Sequence, residues 1–489
     1  MADLSYFHGV NLDESPDTPS VLRLKNHGVT FLNGHADDAD PAAFPINRPT
    51  LVTSLKQGVA LGAAGSLLRD LRTILEEGGS YVVVNRVEYS ATPATLAANL
   101  IGDPVERTGL YAFHRVKALT GYQPRVIVTE GDTGSWIADG VVSVALSGNG
   151  LNLTEAPVVT ATGGGSAAGK VLPTLEAVMG TGSAAGTVAS VRVLTPGKGM
   201  TVAPTIAFSG GGSDAGKVLP AGVTNLGDVG NAFVSALRTI CHADGARARA
   251  YIHGPNTTNS DAVRFRNTIN SDRILVIDPL GIKNVDDVPV IVPSAPVFAG
   301  VRSRVVASAE GVSGSVSNKM IRTLDGAART INYPLDSNYL NEHQVNTIIN
   351  ERGGLRTWGS RLAAENILWQ FDSVRATADM VNEALEDLYF LYVDRKFTRG
   401  NLKMMVEDGN AALRVFTLSE DILGGRVWLS DLNVPSLNAQ GKVFLNVEFE
   451  PVGLMEQIHV TTHRNILYYQ LLLDSVRGAI ETGPLSLAA

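Results

Sequence analysis

Cysteine is almost missing from this chain. Cys241 stands alone among 489 residues, so no disulfide can close within the molecule and the framework fits a reducing compartment. In Phe233-Val-Ser-Ala-Leu-Arg-Thr-Ile-Cys241 it falls on the apolar side of a helical pattern and reads as a small buried hydrophobe. Long hydrophobic runs are missing too: no stretch of about 18 apolar residues offers a helical membrane span. The start, Met1-Ala-Asp-Leu-Ser, lacks the basic region and apolar run of an export signal. These absences predict assembly in the cytosol with no membrane insertion. Clustered Lys and Arg are scarce in a chain of net charge -8, which argues against a nucleic-acid partner, because phosphate-backbone affinity comes from displaced counterions.

Arrangements that carry chemistry are also wanting. The 9 His are scattered, with no His-Glu-x-x-His or Cys/His spacing, and no Gly-x-Ser-x-Gly elbow occurs. Asp37, Asp38 and Asp40 near His35 read as a solvated loop before Pro41 rather than a cation site. Glu386, Asp387 and Asp394 lie in a helical stretch with Arg395 and Lys396, where ion pairs or subunit contacts outweigh acid–base work. No catalytic residue, cofactor or metal is expected.

What is present is a folding composition, 44% hydrophobic and 18% charged, in a chain too long for one core. Cores stop growing near ~250 to 300 residues, which predicts two to four domains. Residues 1 to 30 alternate apolar positions without helical period and read as an extended arm leading into a first strand. From 31 to 134 an amphipathic helix (Gly65 to Leu75) precedes buried strands at Tyr81 to Val87 and Pro124 to Thr129. The same α/β texture returns over 223 to 320, with strands at Ala248 to Ile252 and Arg273 to Asp278.

Residues 135 to 222 break away, rich in Gly, Ala, Ser, Thr and Val, and they repeat. A shift of 47 residues superposes Gly163-Gly-Gly-Ser166 on Gly210-Gly-Gly-Ser213 and Gly169-Lys-Val-Leu-Pro173 on Gly216-Lys-Val-Leu-Pro220. Each copy holds an alternating strand, a Gly turn, a second short strand and a Gly-rich loop, so the expectation is an inserted all-β domain with internal pseudo-symmetry. Both copies also match Gly-x-x-x-x-Gly-Lys, through Lys170 and Lys217. Val171 and Val218 stand where a magnesium-binding hydroxyl belongs, and Pro173 and Pro220 forbid the helix that should follow. Glycine turns of a β domain are the reading.

The C-terminal third carries the functional signal. The series starts with Asn332 to Ile349, which runs on to Gly353-Gly354. Then come Leu355-Arg-Thr-Trp-Gly-Ser-Arg361, a long helix opened by Asp372-Ser-Val-Arg375 and closed by Tyr392-Val-Asp394, and a second helix from Gly400 to about Phe416. Arg426 to Leu432, Lys442 to Glu450 and Glu456 to Val460 follow as strand-like segments. In order and spacing this series resembles the C-terminal core of contractile tail sheath proteins of bacteriophages and R-type bacteriocins. Trp358-Gly359-Ser360-Arg361 is similar to the family's Trp-Gly-Asn-Arg signature, with Ser360 at the Asn position. The resemblance covers residues 320 to 462 well and the first 130 loosely. It does not extend to the insertion.

That resemblance implies a mixed α/β (α+β) multidomain fold with a sheath core domain at 321 to 462 and an extension at 463 to 489. It implies a structural subunit that polymerises with itself as stacked hexameric rings around a tail tube, in contact with baseplate and tail terminator proteins, in the virion tail. Extended terminal arms would join neighbours by strand addition, through Leu4, Tyr6, Val21, Leu22 and Leu24 at one end and Val443, Leu445, Val447, Phe449, Ile458 and Val460 at the other. The basic Arg395, Lys396, Arg399 and Lys403 are candidates to face the tube. Trp358, Gly359, Arg361 and Arg375 make up the core motif. A β-repeat surface or capsid-decorating protein, with the insertion as its working part, is the alternative.

Overall fold

The computed structural model describes residues 25 to 481. The arm candidates Leu4, Tyr6, Val21, Leu22 and Leu24 lie outside them. The chain divides into one unit ending at Val452 and a second beginning at Gly453.

The first unit is organised by a nine-stranded sheet. Val29–His35, Tyr81–Val87, Val126–Thr129, Arg249–His253, Ile274–Ile277 and Val345–Asn350 run parallel. Antiparallel strands close the edges: Thr50–Val52 beside Tyr81–Val87, and Leu355–Trp358 then Lys319–Met320 beyond Val345–Asn350. The segments Val-Val-Val, Val-Ile-Val-Thr and Ile-Leu-Val-Ile are apolar on successive residues because both faces are covered, which is what a parallel sheet requires. On one face pack Ala232–Cys241 and Asn259–Asn267, with Phe233, Leu237 and Phe265 in the core. On the other pack Leu67–Glu77 and Ala295–Val306, with Leu67, Leu71 and Phe298. Cys241 is buried in the first of these cores, and burial raises its thiol pKa to about 12, so it behaves as the hydrophobe its helical position suggested.

The sheet runs straight through the expected boundary at 320/321. Val345–Asn350 pairs with Ile274–Ile277, so strands from the middle and C-terminal regions form one layer. A sheet interior leaves no exposed linker at which a domain could end. What stands apart is a third apolar cluster, built by the helices Asp372–Phe390 and Arg399–Leu418 with the antiparallel pair Ile422–Leu429 and Leu445–Pro451.

The insertion is longer than its composition suggested. Trp136–Gly148 and Ala221–Gly230 form an antiparallel stalk that reaches Gly230 rather than residue 222, and Thr174–Met179, Val188–Thr195, Val158–Thr162 and Thr205–Ser209 make a four-stranded sheet. Its own small core contains Leu153, Leu175, Val188 and Phe208. Thr160 pairs with Ala207, the residue exactly one repeat further on, and the bridges Leu151 to Val218 and Val171 to Lys198 exchange under the same shift. A pseudo-dyad therefore passes between Val158–Thr162 and Thr205–Ser209. The third strand of each copy pairs with the first strand of the other, so a single copy would leave at least its first strand without a partner.

Candidate assembly interface

The helix Asp372–Phe390 has two working faces. Ala376, Met380, Val381, Ala384 and Leu385 pack into the third cluster. Asp372, Asp379 and Glu383, spaced seven and four residues apart on an adjacent stripe, meet the start of the central sheet. There three parallel segments each begin with an arginine. Arg249 Nε donates to Asp372 Oδ1 (2.6 Å), Arg273 donates to both oxygens of Asp379 (2.8 Å each), and Arg125 donates to Glu383. Tyr251 Oη donates to Asp372 Oδ2 at 3.0 Å. All three carboxylates are buried. Burial alone would raise Asp379 and Glu383. The Arg273 hydrogen bonds hold Asp379 below the usual carboxylate range, and Arg125 does the same for Glu383.

The motif around Trp358 caps this helix. Gly359 has φ +103, and a Cβ there would stand 2.7 Å from Asn346 Oδ1 and 2.6 Å from the Asn341 amide. Asn346 holds both backbone groups of Arg361, accepting from its N–H and donating to its carbonyl at 2.8 Å each. Trp358 lies edge-on to Tyr333 with ring centroids 5.3 Å apart. Asp372 N donates to the Ser360 carbonyl (2.9 Å), so the loop closes directly onto the first helical turn. Arg361 lies over the Phe371 ring, and Arg375 stacks on Trp369 while pairing with Asp272 and Asp379. Arg361 and Arg375 thus flank one helix N-terminus, and Trp358 and Gly359 hold the loop that leads to it.

The helix ends at Phe390, three residues before the sequence suggested, and Asp394 takes φ +61 in the turn. Arg395, Lys396, Arg399 and Lys403 are exposed there, beside exposed Phe390, Leu391, Val393 and Phe397. Lys403 pairs with Glu407 one turn on, and Arg395 lies over the Tyr392 ring.

Leu445, Val447 and Phe449 turn inward against the third cluster, and Val443 precedes their strand. Their side chains are therefore spent within the subunit. What this hairpin leaves open is backbone: among the described residues neither Ile422–Leu429 nor Leu445–Pro451 has a further strand beside it. A cleft of about 720 Å³, lined by Leu385, Tyr389, Met405, Leu445 and Val447 among others, lies at this place.

In the second unit, Ile458 and Val460 lie in a stretch without strand structure, not in the closing strand expected. A strand needs a pairing partner, and none is present among the described residues of that unit. The helix Tyr468–Glu481 follows, with Leu471, Leu472, Leu473 and Val476 exposed.

The glycine–lysine loops have another use. Lys170 Nζ donates to the carbonyls of Gly163 (2.7 Å) and Gly165 (2.5 Å), and Lys217 Nζ to that of Gly212 (2.6 Å). The ammonium groups cap their own turns.

The sequence signal for the buried pairs was an Arg directly ahead of each apolar run, at Arg125, Arg249 and Arg273. An Arg at a strand start is ordinarily a solvated end, so this local pattern does not by itself announce a buried pair.

No protein-family model matches the chain. The major tail sheath protein of Serratia phage KSP20 is 21% identical over 490 residues, covering 97% of this chain and 99% of that protein. The tail sheath protein of Escherichia phage P2 is likewise 21% identical over 490 residues, covering 96% and 98%. Among solved structures, the helical sheath of the anti-feeding prophage in its contracted state shares the fold, with a TM-score of 0.55 and 12% identity over 94% of this chain and 100% of that one. From end to end, the insertion included, the chain is similar to contractile tail sheath proteins, and this similarity supports the sheath reading and not the decorating-protein alternative.

Proposed function

We propose that the chain polymerises as stacked hexameric rings around a tail tube in the virion tail, after assembly in the host cytoplasm. On a trigger from the baseplate the rings rotate and widen, the sheath shortens, and the tube is driven through the host envelope. A terminator protein closes the far end. The observation that carries this reading is the hairpin Ile422–Leu429/Leu445–Pro451, whose outer edges are unpaired among the described residues. An open edge is a liability in a monomer and a joining device in a polymer. Extended segments at the two ends of the chain supply the added strands. Each new backbone hydrogen bond contributes about 1 kcal/mol net, and several per arm keep subunits linked while they turn. Head-to-tail contacts that do not close build a helix.

The exposed Arg395, Lys396, Arg399 and Lys403 face the tube, where screened charge contacts release more readily than an apolar seam. The energy of contraction is stored in subunit contacts, with no nucleotide or metal consumed. Negative-stain electron microscopy of the full chain and of a variant lacking residues 1 to 20 tests the linkage. Long hollow cylinders that vanish with the deletion are expected; cylinders that survive it would overturn strand exchange through this arm.

A further inference from the structure

The four residues ahead of the first strand are fastened more heavily than a loop entering a sheet needs to be. Lys25 Nζ donates to Asp387 Oδ1 (2.8 Å) and lies 3.2 Å from Glu383 Oε1. His27, 4% exposed, has Nε2 3.5 Å from Glu383 Oε2. Asn26 Oδ1 accepts from Gly28 N (2.8 Å), and Ser303 Oγ donates to the Gly28 carbonyl (2.7 Å). Only then does Val29–His35 begin. Glu383 is nearly buried and is shared with Arg125, so Lys25 is tied to the same carboxylate that fixes the helix Asp372–Phe390 to the sheet, with the neutral His27 packed beside it.

The adjacent face of that helix, through Ala384 and Leu385, packs in the cluster that holds Leu445, Val447 and Phe449. One rigid element therefore receives the root of the N-terminal arm on one stripe and the open-edged hairpin on the next. A helix transmits axial and bending load without rearranging, whereas a flexible loop at the arm root would absorb displacement before it reached the hairpin.

We infer that the helix Asp372–Phe390 is the strut that couples the two lattice attachments of each subunit, and that Lys25 is the positioning residue that ties the arm root to it. The inference rests on the strand-exchange reading above and adds the route by which an arm's displacement reaches the hairpin. Lys25 touches no neighbour in this role.

The test is charge reversal and exchange in the full chain, read as the protein concentration at which tubes appear by sedimentation and negative stain. Lys25→Glu places a third negative charge beside Glu383 and Asp387 and is expected to raise that concentration about tenfold, read on subunits whose far-UV circular dichroism matches wild type. Asp387→Asn, which removes a partner without adding repulsion, shifts it about threefold. Lys25→Arg assembles as wild type, and the exchange Lys25→Glu/Asp387→Lys recovers most of the loss. Tubes from Lys25→Glu at the wild-type concentration, or an exchange variant no better than the single reversal, would overturn the strut. Deletion of residues 1 to 20 separates the two readings: if that chain still forms tubes, arm exchange itself fails, whereas deletion that abolishes tubes beside a silent Lys25→Glu removes the strut alone.

Discussion

Arg249 Nε and Asp372 Oδ1 meet at 2.6 Å in a site sealed from solvent, with side-chain exposures of 1% and 0%, across 123 residues of chain. Tyr251 and Arg302 close on the same carboxylate from its other oxygen. The first turn of the long helix is thereby locked to the start of a central strand. Removing one partner strands a buried charge, and Arg249→Met is expected to lower subunit stability by about 3–5 kcal/mol, measured by denaturant unfolding at constant m-value. A loss below about 1 kcal/mol would mean the pair is open to water.

Gly359 holds a positive φ against Asn346 and Asn341. Gly359→Ala therefore combines backbone strain with a close contact to two polar side chains, and a loss of about 1–3 kcal/mol is expected. Near-neutral behaviour in thermal unfolding would show that the Asn346 clasp on Arg361 yields to the methyl group.

His27 and His253 supply a pH test. Burial lowers both, His27 to about 3 with help from Arg125 and His253 to about 4. Below an unfolded value near 6.5 the unfolded chain takes up protons that the folded chain refuses, so their contribution is complete above about pH 6.5 and drains away as the pH falls towards 4. Each contributes a slope of up to about 1.4 kcal/mol per pH unit. Asp70 and Asp278, raised by burial, act in the opposite sense, so the readout is the difference made by a variant. Unfolding of His27→Gln at pH 7, 6 and 5 should show a shallower slope than wild type; parallel curves would place His27 in contact with solvent.

Lys170 and Lys217 are assigned to turn closure. Changing either to Ala removes donors from glycine carbonyls and should destabilise the inserted sheet by about 1 kcal/mol. Hydrogen exchange at Val158–Thr162 and Thr205–Ser209 would report it. Calorimetric titration with ATP should give no binding before or after the change, and a saturable isotherm abolished by the substitutions would restore the nucleotide reading.

Much of this molecule is written locally. The strand Tyr81–Val87 and the helix Leu67–Glu77 are legible because apolar residues recur at periods the backbone imposes. The exact 47-residue repeat anticipated an insertion with pseudo-symmetry, and one now sees why two copies are needed: each lends a strand to the other. The Trp358 segment was recognisable in type and order. Its work, closing a helix N-terminus through the Ser360 carbonyl while Asn346 holds Arg361, was not, since Asn346 lies on a neighbouring strand.

Sequence alone therefore determined the periodic elements, the repeat and the kinship of the C-terminal third, because each depends on residues close together along the chain. The tertiary structure decided what the charged residues do. Arg125 finds Glu383 258 residues away, Arg273 finds Asp379 106 residues away, and Lys25 finds Asp387 362 residues away. Such pairings are set by which strand lies beside which once the sheet has closed. The same closure moved the expected boundary at residue 320 into the middle of a sheet and turned Leu445, Val447 and Phe449 inward. Burial follows from the packing of distant segments, and a local pattern carries only half of that relation.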